Sequence, residues 1–302
     1  MGILSLSKYT TQVAHKGELR LRAMSRRGKR SAVNVEKTST TMKKNKVCKG
    51  EEIIAPLTKI FAEADQLSLV KSGWSMSDAL RHLSDCDSDL KALIETSSIP
   101  DRLTCESSRP NKDDPFSALL KSIISQQIAV SAAAAILEKF YTAMDTPQHA
   151  IISPEAVTSA EWNIDIVEGK KKVFVNGKGC GLSESKWKYI RSLAEHFVDP
   201  DKLYNVDFNS ISDEDLYSKL IAVKGIGAWS VHCFMIFHLH RPNVLPTGDL
   251  AVRRGVCKLY GLPLNTYEGG GKKGEGEMLK RCAHWAPYST LASLYMWKIA
   301  KL

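Results

Sequence analysis

From Glu52 onward, apolar residues recur at helical spacing along most of the chain, broken by short polar or glycine-rich punctuation. Trp74 precedes the helix-start pattern Ser77-Asp78-Ala79-Leu80, and a polar loop, Ser107–Asp114, leads to Pro115. Between Phe116 and Phe140 the apolar positions are Phe116, Leu119, Leu120, Ile123 and Ile124, then Ile128, Ile136, Leu137 and Phe140. Asp114 suits the cap of that helical stretch and Pro115 its first turn, while Ala132–Ala135 favours helix and close packing. Ser183 caps a stripe of Trp187, Ile190, Leu193, Ala194 and Phe197, and the last helix carries Leu291, Leu294, Tyr295, Trp297 and Ile299. Val167–Cys180 reads as a loop or small ribbon, and Glu268–Glu277 as a mobile Gly/Lys/Glu insertion. With no convincing strand alternation, the expected class is all-α.

The densest information lies between Leu220 and Gly255. Ser212 caps a helix with acids in its first turn, running through Leu216, Leu220 and Val223 to Lys224-Gly225. Gly225 suits positive φ, Gly227 permits close backbone approach, and a second helix begins near Ala228. That leaves the amides of residues 226–230 free at the positive end of a helix dipole, where a phosphate can bind without side-chain charge. Asp249 follows a Pro246-Thr247-Gly248 turn and opens the next periodic segment. On spacing alone, an ordinary αα-hairpin and a capping aspartate explain both features.

Charge does not decide the matter. The chain has 302 residues, 43% of them hydrophobic, enough for one large domain or two small ones. Of 42 Lys+Arg and 33 Asp+Glu, 13 and 2 fall in residues 1–50, so this segment carries +11 and residues 51–302 carry −2, giving +9 overall. A global basicity argument for nucleic acid therefore fails for the body. Residues 1–50 read as a disordered basic tail, with clusters at Arg26–Arg30 and Lys43–Lys46. Nuclear import or DNA tethering, plain solubilisation, and an organelle address in the first seventeen residues are all compatible with it. Seven dispersed cysteines suggest reduced thiols. Cys257, Cys282 and His284 lack zinc-ligand spacing, and Cys233 and Cys257 sit on apolar-periodic positions. No run reaches the roughly 18 apolar residues of a membrane helix.

Three segments together carry a resemblance. Val223–Gly227 followed by Pro246–Gly255 resembles the helix-hairpin-helix, Gly/Pro loop and aspartate of the HhH-GPD DNA glycosylases. Pro115–Gln127, reading PFSALLKSIISQQ, and Gly181–Lys186, reading GLSESK, are similar to motifs of the 3-methyladenine (alkylbase) branch. The match spans roughly residues 75–300 in order, far more specific than the hairpin alone. It implies a two-lobed helical fold over residues 51–302, with the active cleft between lobes. It further implies hydrolysis of the N-glycosidic bond of alkylated purines in base excision repair. Asp249 then becomes the catalytic carboxylate, steadying an oxocarbenium-like sugar and orienting water. An alkylated purine is already a cationic leaving group, so one carboxylate suffices. Lys224, Gly225, Ile226 and Gly227 hold DNA phosphate, Trp229 and Trp297 form the base pocket, and Gln127 falls at the wedge position. For Trp297, and for Gln126 and Gln127, core packing or a buried amide bond is the competing assignment.

Departures from the family refine this picture. Bifunctional relatives carry a lysine two residues after the hairpin's last Gly; Trp229 stands there and forms no Schiff base. Only Cys257 and Cys282 follow Asp249, too few for an iron–sulfur cluster, so no cofactor is expected, though a structural monovalent cation at the hairpin is compatible with the family. Ser289 and Ala129 replace a usual arginine and serine, with expected effects on interlobe contacts or substrate range. His232, His238 and His240 are assigned to packing or surface. The resemblance implies a monofunctional, monomeric enzyme acting on damaged double-stranded DNA in the nucleus, or in an organelle if residues 1–50 address it there. A noncatalytic DNA-binding relative and a same-fold glycosylase for oxidised or mismatched bases are the alternatives. Retention of Asp249 and the Pro-Thr-Gly turn disfavours the first, and Trp229 with the Phe116–Gln127 segment the second.

Overall fold

Seven helices begin where a short oxygen-bearing side chain accepts a hydrogen bond from an amide of the first turn. Ser75, Asp87, Asp114, Ser153, Ser183, Ser212 and Asp249 are those caps. Each satisfies donors that a helix start otherwise leaves open. The computed structural model describes residues 57–66, 73–100, 114–148, 150–267 and 272–301, all inside one unit, Ala55–Leu302. The basic tail over residues 1–50 and most of the Ser107–Asp114 loop lie outside the described residues.

In chain order the elements are α1 (Leu57–Gln66), α2 (Met76–Cys86), α3 (Ser88–Thr96), α4 (Pro115–Ser125), α5 (Val130–Ala143) and α6 (Pro154–Ser159). Strands β1 (Trp162–Val167), β2 (Lys170–Val175) and β3 (Lys178–Gly179) come next. Helices α7 (Glu184–Val198), α8 (Asp213–Ile221), α9 (Ala228–Phe237), α10 (Leu250–Leu259), α11 (Lys272–Arg281) and α12 (Ser289–Ala300) complete the fold. The class is mainly helical, as expected. Among the described residues no helix is long and apolar enough to cross a membrane.

The helices sort into two lobes. In one, α4 and α5 pack with α7, α8, α9 and the sheet around Phe116, Leu119, Ile123, Phe140, Ile190, Leu193, Leu220 and Val231. In the other, α2 and α3 from the early chain meet α10 and α12 from its end around Leu80, Leu83, Leu90, Ile94, Val256, Trp285, Leu291 and Tyr295. The junction of the second lobe rests on a missing side chain. A Cβ on Gly255 would lie 2.4 Å from the Met296 carbonyl oxygen, so only glycine lets α10 and α12 come this close.

Three expectations need correction. The ribbon is a three-stranded antiparallel sheet, and it begins at Trp162, before the segment read as loop. Both hairpins use two-residue turns in the left-handed region, Glu168-Gly169 and Asn176-Gly177. Asn-Gly is the strongest short hairpin signal available from sequence. Over Trp162–Ile166 the chain alternates apolar and polar, but the run is short, its third apolar residue Ile166 is 75% exposed, and Lys170–Val175 does not alternate at all. Second, the expected mobile insertion is partly a helix: Lys272–Arg281 forms α11, whose Met278 is fully buried. Third, the apolar stretch from Phe116 to Phe140 is two helices, broken at Gln126–Ala129, with Gln127 at φ +59°.

Candidate active site

The hairpin is built as expected, with adjustments. Helix α8 stops at Ile221, short of Val223, and a turn carries the chain to Gly225 at φ +91°. A Cβ there would sit 2.2 Å from Cγ of Tyr189, so the ring of α7 fills the space a side chain would need. A Cβ on Gly227 would meet nothing within 4 Å, so its backbone is open to an outside partner. The amide of Ile226 is not free: it donates to the Val223 carbonyl at 3.1 Å. The amides of Gly227, Ala228, Trp229 and Ser230 donate to no acceptor among the described residues, and Gly227 caps α9 without a side chain. The open amides are thus those of Gly227–Ser230, with Lys224 exposed beside them and its own N–H on Ser192 Oγ at 3.3 Å. Buried Ile226 serves the turn rather than phosphate.

Asp249 is the N-cap of α10, and its carboxylate takes further donors besides the cap amide. Its Oδ1 accepts the Val252 amide at 2.9 Å and so caps α10. The same oxygen accepts the Trp297 indole N–H at 3.0 Å, while Oδ2 accepts that of Trp229 at 2.7 Å. A cap needs one oxygen; the second is held by a residue from another helix. Three donors fix the carboxylate plane, and Oδ2, with one donor, keeps acceptor capacity. Trp229 and Leu250, 49% and 47% exposed, flank it as an apolar rim. The two tryptophans differ in role. Trp297 stacks on Phe237 at 5.5 Å between centroids, so protein takes one of its faces. It also lines a cavity of about 320 Å³ with Ile99, Leu294 and Lys298. Trp229 keeps an open face, as a stacking platform requires.

The loop before Asp249 is pinned to α12. Thr290 and Ser293, both fully buried, hold Val244: its amide donates to Thr290 Oγ1 at 3.0 Å, and Ser293 Oγ donates to its carbonyl at 3.2 Å. Ser289, the departure from arginine, donates to Asn243 Oδ1 at 2.7 Å and belongs to the same anchor. Gly255 brings Met296 against α10, which sets the next residue, Trp297, on the carboxylate.

Of the two glutamines, Gln126 makes the amide bonds. Its Nε2 donates to the Gly225 carbonyl at 3.0 Å and to Ser230 Oγ at 3.3 Å, tying the end of α4 to the hairpin. Gln127 is exposed beside Ile128 in the break between α4 and α5. Lys186, in the GLSESK motif, ties α7 to the end of α4. Its Nζ donates to the Ile124 carbonyl at 2.5 Å, closing the C-terminus of α4. Ala129, the second departure, is the N-cap of α5 and makes no side-chain bond there.

The histidines pack. His232 lies 5.8 Å from the Tyr217 ring, and burial pushes its imidazole down to about 4, neutral at physiological pH. His238 stacks on Phe234 at 4.9 Å. Cys257 and Cys282 are buried and Cys233 half-buried. Among the described residues no group of three or more His, Cys, Asp or Glu is placed to hold a metal ion.

Residues 120–274 match the family model described as HhH-GPD superfamily base excision DNA repair protein. DNA-3-methyladenine glycosylase 1 of Schizosaccharomyces pombe is 30% identical over 235 residues, 76% of this chain and 89% of that one. The crystal structure of a DNA-3-methyladenine glycosidase from Bacillus halodurans aligns with TM-score 0.54 at 30% identity, covering 74% of this chain and 88% of that one. The S. pombe 3-methyladenine DNA glycosylase in complex with abasic DNA aligns with TM-score 0.55 at 28% identity, covering 74% and 97%.

Proposed function

The chain belongs to the HhH-GPD superfamily of base excision DNA repair proteins, and on that premise we propose that it is a monofunctional DNA glycosylase for alkylated purines of the 3-methyladenine type. One observation carries the reading: the Asp249 carboxylate is held by two indole N–H groups and a helix-start amide, with Oδ2 bonded to half-exposed Trp229 and retaining acceptor capacity. A DNA-binding module needs the hairpin but has no use for a carboxylate bonded in this way.

In this reading the Gly227–Ser230 amides and Lys224 grip a phosphate of damaged duplex DNA, and the extruded base stacks on Trp229. As the glycosidic bond lengthens, positive charge grows on the deoxyribose and the fixed carboxylate stabilises it without reorganising. Water then adds to the sugar carbon, and Asp249 Oδ2 accepts its proton. Trp229 has no amine to attack that carbon, so the product is an intact abasic strand. The departing base already carries its positive charge, so the reaction asks for no cofactor. The enzyme works as a monomer in the nucleus.

The test is release of 3-methyladenine from methylated duplex DNA by wild type and Asp249→Asn. Wild type releases base and leaves the strand whole. The variant loses at least about 100-fold in rate, the scale of one preorganised electrostatic partner, while still binding abasic DNA. Absence of release from alkylated, oxidised and deaminated substrates alike would make the protein a DNA-binding relative. Covalent trapping of wild type on DNA by borohydride would refute the monofunctional assignment.

A further inference from the structure

Among the described residues, Arg253 is the only Lys or Arg buried to below a tenth of its surface, at 8% exposed. It sits one helical turn after Asp249, and its backbone amide donates to the Asp249 carbonyl at 3.0 Å. Its side chain turns back to the preceding loop. Nε donates to the Thr247 carbonyl at 2.5 Å, Nη1 to the Tyr267 carbonyl at 3.1 Å, and Nη2 faces Glu275 Oε1 at 3.4 Å.

The geometry points to Arg253 as the positioning residue for the Asp249 carboxylate, with Glu275 holding Arg253 in that role; this rests on the glycosylase reading above. The turn before Asp249 is closed by two short bonds, Thr247 N to Leu245 O and Asp249 N to Pro246 O, both 2.9 Å. Its weak point is Gly248, exposed and without a side chain to pack. Arg253 grips the carbonyls on both sides of that glycine, Thr247 through its side chain and Asp249 through its backbone. Rotation at Gly248 is what would swing Asp249 off Trp229, and Arg253 removes it. A displacement of about 1 Å at a reacting group can cost about 100-fold in rate, so fixing this turn matters to chemistry more than to folding.

Three acceptors around one planar fork is an arrangement that an ammonium cannot copy. A buried guanidinium also needs a carboxylate near it. Glu275 supplies one from α11, where Gly274 and Gly276 flank it. Those glycines disfavour helix. Tertiary contacts hold the helix nonetheless: Met278 is fully buried, and Arg281 Nε donates to Tyr267 Oη at 3.1 Å. Helix α11 therefore places an acid against Arg253.

Arg253→Lys and Glu275→Gln in the full chain test this, each measured as single-turnover base release per binding-competent site, titrated with abasic-site duplex. The expected result is a rate constant at least tenfold lower for Arg253→Lys and several-fold lower for Glu275→Gln, with Glu275→Asp closer to wild type. Affinity for abasic DNA stays within about twofold. The companion readout does not depend on activity: indole ¹H–¹⁵N signals of tryptophan-labelled protein. The signals of Trp229 and Trp297, which donate to Asp249, shift in both variants, while that of Trp285, which donates to Asp87, does not. Wild-type rates per competent site with unmoved Trp229 and Trp297 signals overturn the proposal. So does a uniform shift of all three indoles, which is what a merely structural role produces. If wild type itself releases no base, the glycosylase reading fails, and the indole signals still decide whether Arg253 sets the carboxylate.

Discussion

Trp229 and Asp249 lie on different helices, and the indole N–H of the first donates to Oδ2 of the second at 2.7 Å. Trp229 thus orients this carboxylate, and in the proposed mechanism it does so from the position where the resemblance places a lysine in bifunctional relatives. Trp229→Phe keeps an aromatic face and deletes the donor. A hydrogen bond to a charged group contributes about 1.5–3 kcal/mol, so the base-release rate should fall by about tenfold or more. DNA affinity should be nearly unchanged. Equal rates for Trp229→Phe and wild type would reduce Trp229 to a stacking surface.

The two hairpin glycines should fail in opposite ways. Gly225→Ala meets both a left-handed backbone and the Tyr189 ring. The backbone term alone is about 1–2 kcal/mol, so the melting temperature drops and DNA binding falls with it. Gly227→Ala has ordinary φ (−109°) and open space, so the fold should melt as wild type does. Its methyl group instead stands where a phosphate must approach, and DNA affinity should weaken by about tenfold, the scale of a charge-assisted bond. Unchanged affinity would remove the Gly227–Ser230 amides from the binding face.

What was legible in the sequence was local or spaced along one chain segment. Ser183, Ser212 and Asp114 announce helix starts because their own side chains make the bond. Asp249 was readable as both cap and catalyst, and the structure assigns one oxygen to the first task. What stayed hidden depends on partners far along the chain. Gln126 is distinguished from Gln127 by acceptors 99 and 104 residues away. Arg253 reads as one more helix cation until Glu275 is brought beside it, and α11 looks like a glycine-rich insertion until Met278 is buried. The sheet was missed for a different reason: its Asn176-Gly177 turn was visible, but the alternating run Trp162–Ile166 is short and its partner Lys170–Val175 begins with three lysines in a row.

Ala129 occupies the N-cap of α5 with cap-like angles, φ −66° and ψ 151°, and no side-chain acceptor. A serine at this position would have the geometry to cap α5. Ala129→Ser should add about 1 kcal/mol, or about 2–4 °C in melting temperature for a domain of this size. Lesion preference should not change. A shifted preference at constant stability would return Ala129 to the substrate site.

Asp87 supplies the acid sensitivity of the lobe that carries Trp297. Its Oδ2 accepts Tyr260 Oη at 2.5 Å, Trp285 Nε1 at 2.8 Å and His284 Nε2 at 2.9 Å, while Oδ1 accepts the Asp89 and Leu90 amides at 3.0 Å. Burial alone would raise its pKa, but these donors outweigh that and bring it down to about 2. The folded state thus holds this proton more weakly than the unfolded chain does. Its contribution is complete above the ordinary carboxylate value and is lost as pH falls through about 2. The shift corresponds to about 2 kcal/mol. Asp87→Asn should be less stable than wild type at pH 7, because it turns an amide donor toward three donors. The gap should narrow by about 2 kcal/mol between pH 5 and pH 2, read from urea midpoints at each pH. Parallel curves would show that Asp87 keeps the same proton affinity folded and unfolded, and the network around it would then be neutral to acid.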